Sequence, residues 1–502
     1  MRGFIIYPAY ETIDNETIVQ LYGKLENGQS FVTLNKVEPY FFIREKDLKK
    51  IENLLKKYKV EKINLTNFEE EKVIKISANT QAEINKLYQG LHKKIQTYEA
   101  DIKPHYRFII DNNLLGSIEI EGDYEIADRI DRIYKNPKIS NLKTEFKPKL
   151  KVASIDTESD KKTGKLFCIG LWTEKEKKVF MITKHKLKNG VNCKDEEECL
   201  EKFKKEIIKL DPDIITGWSV IDFDFIYLKN LFQKYKSPFD IGRNNESLKL
   251  RIESNFFRSS SADIVGRQVL DGLNLIRDPF IQEAPTIKNA NFESYTLEDV
   301  SQVLINSGKL IKGKQRHEEI ETLYEKNTQE SHQKLADYNL KDCELVYNIL
   351  EKTKILDLAI ERSQLTGLPL DRLTASIAAF DSLYLREARK KNLVSPTTHF
   401  GQKEERITGG YVHSTKPGIY NNVIILDFKS LYPSIIKTFN IDPSSYLEKK
   451  EKNAIESPNK AYFKNQEGIL PQIISKLHEA REKAKKEKRE LPSYAIKIIQ
   501  NS

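Results

Sequence analysis

The spacing of hydrophobic positions changes several times along the chain, and each change marks an element. From residue 1 to about 147, strand-like runs dominate, among them 21–25 and 30–34 on either side of Asn27-Gly28, a dipeptide suited to a two-residue hairpin. A helix follows, with Leu48, Ile51, Leu54, Leu55 and Tyr58 on one face. Near residues 146–149 the pattern turns to apolar strands at 152–155, 167–172 and 179–182. An amphipathic helix carrying Leu200, Phe203, Ile207 and Leu210 leads into a strand at 214–216, and 225–235 reads as another helix. The stretch 237–291 is richer in Gly, Asn and Ser and reads as loops, with helical spacing returning near Leu297 and over 332–352. Beyond about residue 355 come a helical connector, a turn at Gly409-Gly410, a strand at 423–426 and a strongly helical end. The expectation is a multidomain chain of α/β and α+β class: an N-terminal α+β domain over 1–147, an α/β sheet domain over 148–355, a connector with a further strand over 356–469, and helices over 470–502.

Length supports that division, because 502 residues exceed the roughly 250–300 at which a single core stops growing. A hydrophobic fraction of 39% suits a folded chain, no apolar run is long enough for a bilayer, and the start Met1 to Pro8 has too short an apolar core for a signal peptide. A cytosolic protein without a membrane partner is expected. The net charge of +9 permits a nucleic-acid partner without establishing one. Of the four cysteines only Cys193 and Cys199 are close in sequence, and they lack the second pair that a zinc site needs.

Candidate chemistry begins at Asp156-Thr157-Glu158, at the end of an apolar strand. Residues i and i+2 of a strand project to one side, so both carboxylates can reach one cation. A second carboxylate pair, Asp222 and Asp224, lies in Gly217-Trp218-Ser219-Val220-Ile221-Asp222-Phe223-Asp224, where a strand gives way to a helix. A third candidate is Asp342, which shares a helix face with Tyr338 at i, i+4. Each signal is weak alone. Together, carboxylates at strand ends and on one helix describe a phosphodiesterase site for two divalent cations, Mg²⁺ or Mn²⁺, with a tyrosine hydroxyl to orient the attacking water.

In this order the residues resemble the three exonuclease motifs of the DEDD nucleases, tyrosine subtype, as they occur in family B DNA polymerases. The resemblance implies an RNase H-like 3′→5′ exonuclease domain with Asp156, Glu158, Asp224 and Asp342 as metal ligands and Tyr338 in the site. It selects Asp224 over Asp222 through the family's Phe-Asp register, here Phe223-Asp224. Ser219 departs from the family's usual Asn. Downstream, Asp427-Phe428-Lys429-Ser430-Leu431-Tyr432-Pro433-Ser434 is similar to the family's first palm motif. That similarity implies a metal ligand at Asp427, backbone amides of Ser430 and Leu431 for a triphosphate, and Tyr432 beneath the deoxyribose. Arg481 with Lys485, and Lys497 with Asn501, resemble the nucleotide-binding helices of the fingers. Further stretches, among them Pro417-Gly418-Ile419-Tyr420 and Ile441-Asp442-Pro443, look like the bacterial polymerase II branch of the family, whereas Ile407 stands where members often have Tyr before Gly-Gly.

The resemblance thus implies partial palm and fingers, and as partners DNA, both primer-template and single-stranded 3′ ends, in the bacterial cytosol or nucleoid. Deoxynucleoside triphosphates join them if the palm is completed. The sequence reaches Asn501-Ser502 inside the fingers motif, and the second palm carboxylate motif does not precede that point. The expectation is therefore no nucleotide addition by these residues alone, with a separate C-terminal polymerase chain or a longer protein supplying the rest. The alternative is a non-catalytic DNA-binding or assembly subunit of a split polymerase.

Overall fold

Two left-handed residues, Asp14 (φ 48°) and Asn15 (φ 62°), fold the first strand back on the second, as the twist of a two-residue hairpin requires. They join Arg2–Ile13 to Glu16–Leu25 in the computed structural model, which describes residues 1–142, 146–253, 260–311, 313, 315–398, 413–428 and 430–501. The turn at Asn27-Gly28 brings Ser30–Val37 against Glu16–Leu25, within a seven-stranded sheet. A second sheet of four strands packs Phe41, Ile43, Ile74 and Ile76 beneath helices Leu48–Leu55 and Gln81–Leu91.

His105, on the helix Pro104–Asp111, is buried beside the Tyr10 ring, and its Nδ1 has no hydrogen-bond partner. Burial, with Lys103 and Arg372 acting the same way, pushes its imidazole down to about 3. The unfolded chain takes up this proton near pH 6.5 and the folded chain refuses it. The His105 contribution is therefore complete above pH ~6.5 and falls by about 1.4 kcal/mol per pH unit below it. Urea unfolding from pH 7 to pH 4 is expected to show that decline, and His105→Gln is expected to flatten it. An equally steep acid limb in the variant would exclude His105 as its source.

The central sheet has six strands in the order Gly190–Cys193, Lys177–Ile182, Leu166–Trp172, Val152–Ser159, Ile214–Gly217, Gln268–Asp271. Val152–Ser159 pairs antiparallel with Leu166–Trp172 and parallel with Ile214–Gly217. The two faces bury different partners. Ile155, Ile169, Leu171 and Phe180 pack under helices Glu196–Leu210 and Asp224–Lys234, whereas Phe167, Val179 and Met181 pack under helix Gln329–Thr353. Asp195 caps the first of these helices by accepting the Glu198 amide at 2.9 Å, and Thr328 opens the last with a capping box.

A buried ionic network fastens the N-terminal sheet to the central one. Lys24 of the strand Glu16–Leu25 lies 3.6 Å from Asp213, which also accepts Arg243 Nη2 at 2.5 Å and the Lys151 amide at 2.8 Å. Asp211 takes Arg243 Nε at 2.9 Å and Arg267 Nη1 at 2.7 Å.

Three sequence expectations are corrected. The stretch 423–426 is not a strand: none of the described strands pairs with it, and a segment without a neighbour has no ladder to join. Ile424, Ile425 and Leu426 are 81%, 89% and 90% exposed as a result. Leu491-Pro492 in the sequence predicts a break between the two terminal helices at that point, but the break lies at 487–489, because Pro492 sits in the first turn of helix Glu490–Gln500, where its missing amide costs nothing. Within 237–291, where loops were expected, Gln268–Asp271 forms the edge strand of the central sheet. Ile407 and Gly409-Gly410 lie outside the described residues.

Candidate active site

Asp156 and Glu158 occupy alternate positions on the strand Val152–Ser159 and face the helix Gln329–Thr353, which supplies Tyr338 and Asp342. One carboxylate oxygen from each of Asp156, Glu158 and Asp342 lies within 4.8 Å of the other two. Asp224 is joined to this group through the intervening residue: the Thr157 amide and hydroxyl both donate to its Oδ1, at 2.9 and 2.7 Å. Asp224 is buried at the start of its helix, while Asp222 is exposed. Ser219 turns the chain into that helix with left-handed backbone, φ 61°, a conformation Asn adopts more readily.

The carboxylates resist ionisation. Burial and then the neighbouring carboxylates Glu158, Asp224 and Asp342 hold Asp156 well above its ordinary range. Burial and Asp342 push Glu158 up to about 8, against the pull of Lys309. Burial lifts Asp224 to about 7, opposed by the hydrogen bonds from Thr157. Such a concentration of like charge fits a cation site. Asp342 Oδ1 points the same way, being buried without a hydrogen-bond partner. Burial and Asp342 also keep the Tyr338 hydroxyl protonated far above neutrality.

Three residues absent from the sequence reading belong to this site. Asn339 donates from Nδ2 to Asp156 Oδ2 at 2.8 Å and fixes that carboxylate. Lys309 places its ammonium 3.2 Å from the Tyr338 hydroxyl and in contact with Asp342 Oδ2. It arrives on a loop that presses Gly308 against Glu298 and Gln302, where a Cβ would come within 2.4 Å of Gln302 Nε2. Gly170, opposite Asp156 in the adjacent strand, lets the helix rest on bare backbone, since a Cβ there would lie 2.4 Å from Asn339 Oδ1 and 2.8 Å from Cys343 Sγ.

The downstream residues are spread over several elements. Asp427 and Tyr432 are exposed, and Ser430 and Leu431 begin the helix Leu431–Phe439. Arg481 and Lys497 line a cavity of about 390 Å³ together with Lys288. Lys485 instead pairs with Glu482 at 2.8 Å, and Asn501 is exposed. Among the described residues, no hydrogen bond or ion pair joins Asp427, Ser430, Leu431 or Tyr432 to Arg481, Lys485, Lys497 or Asn501. Among them, too, no helix is long and apolar enough to cross a membrane.

Comparison with known proteins assigns both regions. The model of the exonuclease domain of DNA polymerase family B matches residues 159–300, and the model of DNA polymerase family B matches residues 374–501. DNA polymerase II of Escherichia coli strain K12 is 31% identical over 520 residues, covering 100% of this chain and 63% of that protein. The DNA polymerase of Archaeoglobus fulgidus is 26% identical over 507 residues, covering 98% and 60%. The structure of the family B DNA polymerase from the hyperthermophilic archaeon Pyrobaculum calidifontis superposes with a TM-score of 0.79 at 21% identity, covering 100% of this chain and 67% of that one. The chain thus spans about three fifths of the length of these two curated relatives. By its two matched regions, its full-length similarity to DNA polymerase II and its fold, the chain belongs to the family B DNA polymerases.

Proposed function

We propose that the chain carries the 3′→5′ proofreading exonuclease of a DNA polymerase and hydrolyses DNA one nucleotide at a time from a 3′ end by two-metal catalysis. The observation that carries this reading is the convergence of Asp156, Glu158 and Asp342 within 4.8 Å, with Asp224 held beside them by Thr157. These four carboxylates would hold two Mg²⁺ or Mn²⁺ ions, which when bound activate water and stabilise the leaving 3′ oxygen. The Asn339 amide keeps Asp156 oriented. The Tyr338 hydroxyl, held protonated, can position a water against the scissile phosphorus, and the Lys309 ammonium beside it offsets developing negative charge. Release of nucleotides from a 3′-extended single strand in Mg²⁺ or Mn²⁺, but not in chelator, tests the reading. Digestion confined to 5′ ends, or none at all, would refute it.

We also propose that the chain supplies part, and not all, of a polymerase site for primer-template DNA and deoxynucleoside triphosphates. This reading rests on the family match over 374–501 and on the motif residues Asp427, Ser430 to Tyr432, Arg481, Lys485, Lys497 and Asn501. A separate chain completing the palm draws no support from the comparisons.

Gly170 provides a geometric check on the exonuclease reading. Alanine there drives a methyl group into Asn339 and Cys343 and moves the helix that bears Tyr338 and Asp342. A displacement on the order of 1 Å costs about a hundredfold in rate, so Gly170→Ala is expected to lower kcat for 3′ digestion by about that factor. Wild-type kcat in a folded Gly170→Ala protein would contradict the role of this close approach.

A further inference from the structure

A cluster of carboxylates repels the polyanion it is proposed to cut, and the basic groups able to offset that repulsion converge on one rim of the site. Helix Arg316–Glu325 is docked against the turn that follows strand Val152–Ser159, because the Lys161 amide donates to Glu321 Oε1 at 3.3 Å. The turn itself is braced by Asp160, whose Oδ1 accepts the amides of Lys162 and Thr163 at 2.8 and 2.9 Å. Arg316 is the first residue of the helix, and its charge favours the ionised forms of both Glu158 and Asp342. His317 lies within the electrostatic reach of Arg316, Lys161 and Lys309, with Glu321 opposing them. Arg316 Nε approaches His317 Nε2 at 3.5 Å, and among the described residues neither Arg316 nor the Lys161 ammonium has a carboxylate ion-pair partner.

Two elements tied to each other bring these groups together beside the carboxylate cluster; the helix also carries Glu318, Glu319 and Glu321, but Arg316 and Lys161 keep charges that an entering anion can satisfy. Resting on the exonuclease reading, we infer that Lys161, Arg316 and His317 form a seat for the backbone phosphates of the strand whose 3′ end enters the carboxylate cluster. Guanidinium and ammonium groups suit this task through charge-assisted hydrogen bonds, and phosphate contacts hold the strand in register without reading its bases. The seat therefore serves single strands of any sequence.

The test uses the full chain and a fluorescein-labelled oligothymidylate. In the cleavage-dead Asp156→Ala, Glu158→Ala background, Arg316→Ala is expected to weaken binding about tenfold and to reduce the slope of log affinity against log salt by about one, measured between about 50 and 200 mM salt. Arg316→Lys should recover most of both. In the cleaving chain, Arg316→Ala should raise KM about tenfold, and Arg316→Lys should restore it. Lys161→Ala, on the exposed turn, is expected to lower the slope in the same way and carries the test if the Arg316 variant does not fold. Unchanged affinity and salt slope in folded variants, while the parent still digests 3′ ends, would overturn the seat and leave the exonuclease reading standing. A parent chain that digests no 3′ end would instead remove the reading on which the seat rests.

Discussion

Replacing Asp156 and Glu158 together by alanine should abolish 3′ digestion, with a fall in rate of at least about ten-thousandfold. That factor corresponds to about 5.5 kcal/mol of transition-state stabilisation, a loss on the scale expected when bound cations can no longer be held. Both side chains leave the same face of one strand and contribute two of the three converging carboxylates, so the remaining Asp342 and Asp224 cannot keep two cations in position. The variant should fold, because the change removes buried charges that oppose one another. A labelled oligonucleotide with Mn²⁺, sampled over hours, measures the effect, and digestion at the parental rate would end the assignment. Asp222→Ala supplies the register control: its carboxylate is exposed, and digestion should survive that change.

Asp213→Ala should destabilise the chain by about 3–5 kcal/mol, the usual cost of leaving a buried charge without its partner. Asp213 and Arg243 are both fully buried, and the change leaves Arg243 facing only Asp211 while Lys24 loses its nearer carboxylate. It also removes the acceptor of the Lys151 amide, just before the strand that carries Asp156. The chain's two tryptophans, Trp172 and Trp218, both belong to the central domain, so their fluorescence reports unfolding of that part. A urea midpoint within error of the parent would show that the network fixes geometry without contributing stability.

How far the sequence carried the site depends on what placed each residue. Asp156 and Glu158 follow from a two-residue strand period, and Tyr338 and Asp342 from a four-residue helix spacing, so local patterns alone predict which side chains share a face. Lys309 has no such signal. It lies beyond the helix Leu297–Ile305, whose last turn stops at left-handed Asn306, and its approach to Asp342 depends on the fit of Gly308 against Glu298. Gly170 reads in sequence as one member of an apolar strand, and its importance emerges only when a helix is laid across it. The strand Gln268–Asp271 was hidden by the Gly- and Asn-rich residues around it, and it is stabilised by pairing with Ile214–Gly217. The reverse happened at 423–426, where an apolar run announces a strand and the described residues offer no neighbour.

The site is also where the chain's local preferences disagree with its fold. Asp156, Glu158, Asp224 and Asp342 are crowded together against their own electrostatics. Such local frustration is what a foldable sequence otherwise avoids, and it survives only where surrounding contacts outvote it. Asn339, Thr157 and Lys309 are those contacts, each answering one of the carboxylates. A sequence optimised for folding alone would discard the four acids first, and their three supporters would then have no reason to remain.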